Sequence, residues 1–250
     1  MEKEGIMKRN TKRALGIAAL IAIILTAAIA AYLAPAGLEE SAALALASDS
    51  DLRVLRDKGG ISMLPQAQAD IGFIFYAGAR VPPAAYAPLL RPLAERGIAV
   101  FIPQLPFNFA IFAIDRASSI IDANPDITRW YLGGHSLGGA SAAFFAGKYP
   151  ETVEGIAFLA SYPSEQADLS SWQGRALSIA ADRDGLATLE KFEAASAYLP
   201  RDTVSIVLEG ANHAGFGHYG AQKGDGVATM PKAEQERRSA EALYAFLTGD

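Results

Sequence analysis

Cysteine is absent from all 250 residues, which excludes disulfides, thiolate metal sites and a cysteine nucleophile, and leaves the redox compartment open. Histidine is scarce: His135, His213 and His218 are the whole supply, so few positions compete to act as a general base. Clustered basic charge is missing too. Past residue 13 the only adjacent basic pair is Arg237-Arg238, and the formal net charge is −5. A phosphate backbone therefore finds no basic face, and nucleic acid is excluded as a partner. No internal repeat and no low-complexity tract breaks the chain. With 51% hydrophobic and 20% charged residues the composition is globular, and the length suits one sizeable domain.

Charge also vanishes over Ala14–Leu33, directly after Lys8, Arg9, Lys12 and Arg13. At about 1.5 Å per residue a helix over this run would reach roughly 30 Å, the thickness of a bilayer's hydrocarbon core. The next charges are acidic, Glu39 and Glu40. This asymmetry predicts a cytoplasmic basic segment over 1–13, a transmembrane anchor over 14–33, a tether rich in Ala and Ser over 34–50, and a domain over 51–250. The chain would be a single-pass membrane protein with that domain extracytoplasmic. The alternative is a signal peptide cut after Ala34-Pro35-Ala36 and a secreted product. The apolar core of a signal peptide is about 7–15 residues, which favours the anchor. A buried core helix is disfavoured, because the run has no polar face.

From Leu52 onward short apolar runs alternate with helical stretches. Strands are expected at Ile71–Tyr76, Ile98–Ile102, Trp130–Leu132, Ile156–Leu159, Leu177–Ala180 and Val204–Leu208. Helices are expected at Ala84–Arg96, where Pro88 and Pro92 predict a kink or late start, and at Phe109–Asp122, Leu137–Lys148, Ala187–Tyr198 and Lys232–Leu247. Gly249 is the expected stop for the last. A hairpin around Gly59-Gly60 would add an antiparallel edge. The pattern calls for an α/β fold, a mostly parallel central sheet with helices on both faces.

One motif carries chemistry. Gly134-His135-Ser136-Leu137-Gly138 follows an apolar strand and leads into a helix rich in small residues, the strand–turn–helix setting of a nucleophile elbow. Its Gly-x-Ser-x-Gly fits neither the dinucleotide-binding glycine spacing nor that of the P-loop with its lysine. Serine needs a base to take its proton and an acid to orient that base. His213 sits just past the last expected strand, where a loop can carry it over Ser136. His218 reads better as loop packing, and His135 is too close in sequence to serve as base. The strand ending at Ala181 leads to Asp182 and Asp184. A loop needs a few residues before it can turn an acid to the histidine, which favours Asp184 and leaves Asp182 to pair with Arg183 or cap the turn. Glu209 lies too near His213 along the chain. The oxyanion donors are expected to be the N–H of Leu137 and that of Ala79, with Gly78 next. A metal site from His213, His218 and Asp225 is the weaker reading, so neither metal nor cofactor is expected. Ser161–Gly174 is too short for a helical lid, and the glycine-rich 214–230 loop is expected to form one wall of the site.

These segments resemble the α/β-hydrolase superfamily and, more narrowly, the alpha/beta hydrolase fold-5 group related to dienelactone hydrolases. The likeness rests on Phe75-Tyr76-Ala77-Gly78-Ala79, Pro106-Phe107-Asn108, the elbow through Gly139, Asp184-Gly185-Leu186 and Asn212-His213-Ala214-Gly215-Phe216-Gly217. It implies Ser136, Asp184 and His213 as the triad. Dienelactone hydrolases proper use cysteine where this chain has Ser136, and the His-Gly that often precedes the oxyanion donor is here Ala77-Gly78. The expected activity is a serine hydrolase of small carboxylic esters or thioesters. Another acyl-transfer enzyme, a peptidase or acyltransferase, and a non-catalytic binding protein on the same fold are the alternatives.

Overall fold

Runs such as Ile71–Tyr76 have no polar face to offer water, so they settle where both faces are covered. The computed structural model describes residues 20–31 and 33–249. Its sheet has eight strands: β1 (Leu52–Asp57), β2 (Gly60–Pro65), β3 (Ile71–Tyr76), β4 (Ala99–Pro103), β5 (Arg129–His135), β6 (Gly155–Leu159), β7 (Arg175–Ala181) and β8 (Val204–Leu208). They lie in the order β1-β2-β4-β3-β5-β6-β7-β8. From β4 to β8 every pairing is parallel, while β1, β2 and β4 pair antiparallel. The expected hairpin and edge are therefore present. The chain passes from β3 out to β4 and returns to β5 on the other side. The ends of β3 and β5 thus form a topological switch point, where open α/β sheets place their ligands.

Alternate side chains of β3 divide the core. Phe73 and Phe75 join a cluster with Leu89, Leu90, Leu93, Leu243 and Leu247, under helices α2 (Ala87–Glu95) and α6 (Lys232–Thr248). Ile74 and Tyr76 join Trp130, Leu132 and Phe145 on the opposite face, under α3 (Arg116–Asp122) and α4 (Leu137–Lys148). A further helix, α5 (Leu189–Ala195), follows β7. α6 ends where Gly249 turns left-handed at φ 85°.

As Pro88 and Pro92 predicted, the helix placed at Ala84–Arg96 starts late, after a 3-10 turn over Pro83–Tyr86, with Pro88 in its first turn. Other expectations need correcting. The helix placed at Phe109–Asp122 is helical only as α3. Before it lie two one-turn 3-10 helices, Pro106–Asn108 and Ala110–Phe112, set off by Phe107 and Asn108 at φ 53° and 57°. The segment read as a tether over 34–50 is folded from Ala36 onward, within a compact unit spanning Ala36–Asp250. There α1 (Glu40–Leu44) buries Ala42 completely, and Arg91 donates to the carbonyls of Ala45 and Ala47 at 3.0 and 2.6 Å. Alanine-rich composition is shared by loose tethers and close-packed helices, so it misled the reading.

The transmembrane anchor expected over 14–33 falls partly outside the described residues, which omit 1–19 and 32. Residues 20–31 are helical, a stretch of roughly 18 Å at about 1.5 Å per residue. Among the described residues no helix is long and apolar enough to cross a membrane. The basic segment over 1–13 lies wholly outside them.

Ala42→Asp would bury a carboxylate where no exposure remains. It should lower stability by about 2 kcal/mol or more in urea unfolding. A change within about 0.5 kcal/mol, typical of an exposed surface site, would mean that α1 is not packed into the unit.

Candidate active site

The elbow owes its shape to two missing Cβ atoms. A Cβ on Gly138 would stand 2.1 Å from the carbonyl oxygen of Tyr76, and one on Gly134 would stand 2.5 Å from the carbonyl carbon of Gly138. Both contacts are to backbone, so the start of α4 can lie against the ends of β3 and β5 only with glycine there. Between them Ser136 takes φ 53° and ψ −127°, a region that costs a non-glycine residue about 1–3 kcal/mol. Its N–H donates to the Leu159 carbonyl at 3.0 Å, and Ser161 Oγ donates to its carbonyl at 2.7 Å. The strain is held from both sides.

His213 Nδ1 lies 2.7 Å from Asp184 Oδ2, both groups being buried. The other Asp184 oxygen, Oδ1, accepts the N–H groups of Leu186 and Ala187, each at 2.7 Å. A carboxylate only accepts, so Nδ1 carries the proton and Nε2 presents its lone pair. Nε2 is buried and has no partner among the described residues, so the Ser136–His213 hydrogen bond is not formed in this conformation. Ser136, Leu137 and His213 nevertheless line one cavity of about 280 Å³, with Ala140, Ala160, Ser161, Tyr162, Leu186 and Ala187. Asp182 takes the other expected role, accepting the Gly210 N–H at 2.6 Å and bracing the turn that leads to His213.

Of the two oxyanion positions, Leu137 is the first residue of α4 and has no intrahelical acceptor for its N–H. The Gly78 N–H is occupied, donating to Tyr86 Oη at 3.0 Å. Ala79 lies in the same loop, beside the elbow, but is not among the residues lining the cavity. The 214–230 loop does not form a wall as expected. Instead it reaches behind the base. Asp225 Oδ1 accepts the N–H of His213 at 3.2 Å and of Gly185 at 3.3 Å, and Oδ2 accepts the Ala214 N–H at 2.8 Å. Gln235, fully buried on α6, holds Asn212 through its N–H and carbonyl at 3.3 and 2.8 Å. His218 is tied to Ser41, Glu39 and Glu236, a packing role that links α1 to α6.

Gln235 escaped the sequence reading, and Asp225 was weighed there only as a metal ligand, not as a brace for the His213 loop. The available signal was Gly224-Asp225-Gly226, since flanking glycines mark close backbone approach. A Cβ on Gly226 would sit 2.0 Å from the Arg183 carbonyl oxygen.

His135 ties the two halves together. Its Nε2 lies 3.1 Å from the His213 carbonyl, which can only accept, so Nε2 is the protonated nitrogen. Nδ1 then accepts from Tyr86 Oη at 2.8 Å, and that oxygen accepts the Gly78 N–H. Burial, with the nearby His213 adding to it, holds the His135 imidazole well below the usual histidine range and keeps it neutral. A larger groove of about 780 Å³ lies at the opposite strand ends, by Trp130, Glu154 and Trp172. No histidine lines it.

The sequence profile of the alpha/beta hydrolase family matches residues 72–237. No curated protein matches the chain. Among solved structures, a predicted CIB-like hydrolase from Thermoplasma acidophilum is 16% identical with a TM-score of 0.58, over 77% of this chain and 98% of that one. Est1E from Butyrivibrio proteoclasticus, with ferulic acid bound, is 11% identical with a TM-score of 0.57, over 79% and 96%. Identities this low establish the likeness of fold alone.

His135 gives a stability signature. Unfolded, it titrates near 6.5; folded, its pKa is depressed. As pH falls below about 6.5 the unfolded chain takes a proton that the folded chain refuses, so stability present above that pH is lost, by up to about 1.4 kcal/mol per pH unit. Urea unfolding between about pH 7 and about pH 5 should show a shallower loss in His135→Gln than in the wild type. Equal slopes would show that His135 does not refuse that proton.

Proposed function

The chain belongs to the alpha/beta hydrolase family, and from that premise we propose that it is a serine hydrolase of small carboxylic esters or thioesters, working through an acyl-enzyme on Ser136. One observation carries the reading. His213 and Ser136 line one cavity, and the His213 Nε2 is unpartnered while its Nδ1 is committed to Asp184.

The steps follow from those atoms. The Ser136 hydroxyl turns onto His213 Nε2, a side-chain rotation between groups that already share a cavity. Nε2 takes the proton as Oγ attacks the substrate carbonyl carbon. Asp184 stabilises the imidazolium. The oxyanion is met by the N–H of Leu137, at the positive end of α4, and by that of Ala79. The C–O or C–S bond breaks and Nε2 returns its proton to the leaving alcohol or thiol. Water then attacks the acyl-enzyme, giving its proton to Nε2, and the acid departs as Oγ is reprotonated. A cavity of about 280 Å³ falls just below the usual range of about 300–1,000 Å³ for drug-sized ligands, which favours a small substrate.

The same reading places the domain outside the cytoplasm on an anchor formed by 14–33. Support comes from the uncharged run, the basic residues before it and the acidic residues after it.

Ser136→Ala should lower kcat/KM for a short-chain ester by about 10⁴-fold or more and abolish labelling by a fluorophosphonate. Retained turnover would overturn the proposal. Asp225→Ala frees the N–H groups of His213 and Ala214 and should lower kcat by about 10- to 100-fold, since small misplacements of a base cost that much. The KM should stay nearly constant, because Asp225 lies outside the cavity lining. A kcat within about twofold of the wild type would mean that the loop holds its place without it.

A further inference from the structure

Residues 105–113, between β4 and α3, hold large apolar side chains in solvent. Phe107 is 63% exposed, Phe112 62% and Ile111 40%. The segment is not slack. Phe107 and Asn108 keep positive φ, the Asn108 N–H donates to the Leu105 carbonyl at 3.0 Å, and Gln104 Nε2 donates to Asn108 Oδ1 at 2.7 Å. The Ala110–Phe112 turn packs on α4. An apolar ridge held out by fixed contacts marks an interaction surface. Gln104 also lines a groove of about 660 Å³ with Leu38, Arg56, Lys58, Pro82 and Pro83. Arg56 and Lys58 are exposed there. Asp57 shares the groove, with its Oδ1 accepting the Gly59 N–H at 2.6 Å. Apolar points flanked by cations fit the boundary of an anionic bilayer.

The chain enters the unit at the same place. The Ala36 N–H donates to the Arg80 carbonyl at 2.7 Å, and the Arg80 N–H donates to the Asn108 carbonyl at 2.7 Å. Only three peptide links separate Leu33, the last residue of the expected anchor, from Ala36, a reach of about 10 Å. We infer that Phe107, Ile111 and Phe112, flanked by Arg56 and Lys58, form a docking surface for an anionic lipid bilayer. The inference rests on the anchor reading given above. It adds that the sheet edge bearing Ser136 works at the lipid boundary, with the Arg80 loop and the ridge beside it.

The test uses the full chain in vesicles of phosphatidylcholine with about a quarter phosphatidylglycerol, with and without brominated acyl chains. Phe107→Trp and Phe112→Trp report from the ridge. Val204→Trp, at the exposed start of β8 on the far edge of the sheet, reports from elsewhere. The wild-type emission of the buried Trp130 and Trp172 is subtracted. Flotation of the vesicles reads the anchor separately. The inference expects flotation, with brominated lipid quenching most of the Phe107→Trp and Phe112→Trp signal and sparing Val204→Trp. Flotation without quenching at the ridge, or with equal quenching at Val204→Trp, would overturn the docking surface and leave the anchor standing. Failure to float would overturn the anchor reading and the docking surface with it.

Discussion

Two backbones meet at the elbow at a distance that no side chain permits. The carbonyl of Tyr76, at the end of β3, lies where a Cβ of Gly138 would be, and Gly134 and Gly138 press together across the turn. The elbow and what borders it are placed by that contact. It forces Ser136 into its strained φ and lifts it to the sheet's edge. It points the first amides of α4 at the cavity, and it sets the loop after β3 beside them. The cost of the Ser136 conformation is a few kcal/mol at most, set against a core in which Phe73, Ile74, Phe75 and Tyr76 have no exposure. Packing of β3 from both faces is what keeps the turn in place.

The base is held by a different means. His213 sits on an irregular loop, where no regular ladder fixes the backbone. Its position comes from hydrogen bonds that converge from four elements: Asp182 on Gly210, Gln235 on Asn212, Asp225 on His213 and Ala214, and His135 on the His213 carbonyl. His135 is one residue from Ser136 and is joined through Tyr86 to Gly78. The loop after β3, the residue beside Ser136 and His213 therefore share one buried polar chain running from Gly78 through Tyr86 and His135 to the His213 carbonyl. Burial makes such a chain rigid, because an unpaired member would carry the full desolvation cost.

Much of this was legible in order of strength of pattern. Short apolar runs announce strands, and all six expected ones are present, though β8 at the sheet's edge is largely exposed. The elbow announces itself because its glycines are sterically compulsory. The choice of Asp184 over Asp182 followed from loop reach, and it is Asp184 that meets His213 while Asp182 accepts the Gly210 N–H. What misled was composition without periodicity. The Ala- and Ser-rich stretch before β1 looked like a tether, yet its alanines let α1 lie close to α2. The apolar stretch Phe109–Asp122 looked helical, yet Phe107 and Asn108 turn the chain left-handed and only its end is a helix.

The sequence by itself determined the architecture and the candidate reacting groups, because side-chain period, glycine placement and the small number of histidines are local properties that one dimension records. Only the tertiary structure decided how His213 is held, that the Gly78 N–H is taken by Tyr86, and where the apolar ridge stands relative to the chain's entry at Ala36. Those depend on residues more than ten positions apart, such as His213 with Asp225 or Ala36 with Arg80. Hydrogen bonds between distant loops leave no period in the sequence, and their partners are defined by the fold that brings them together.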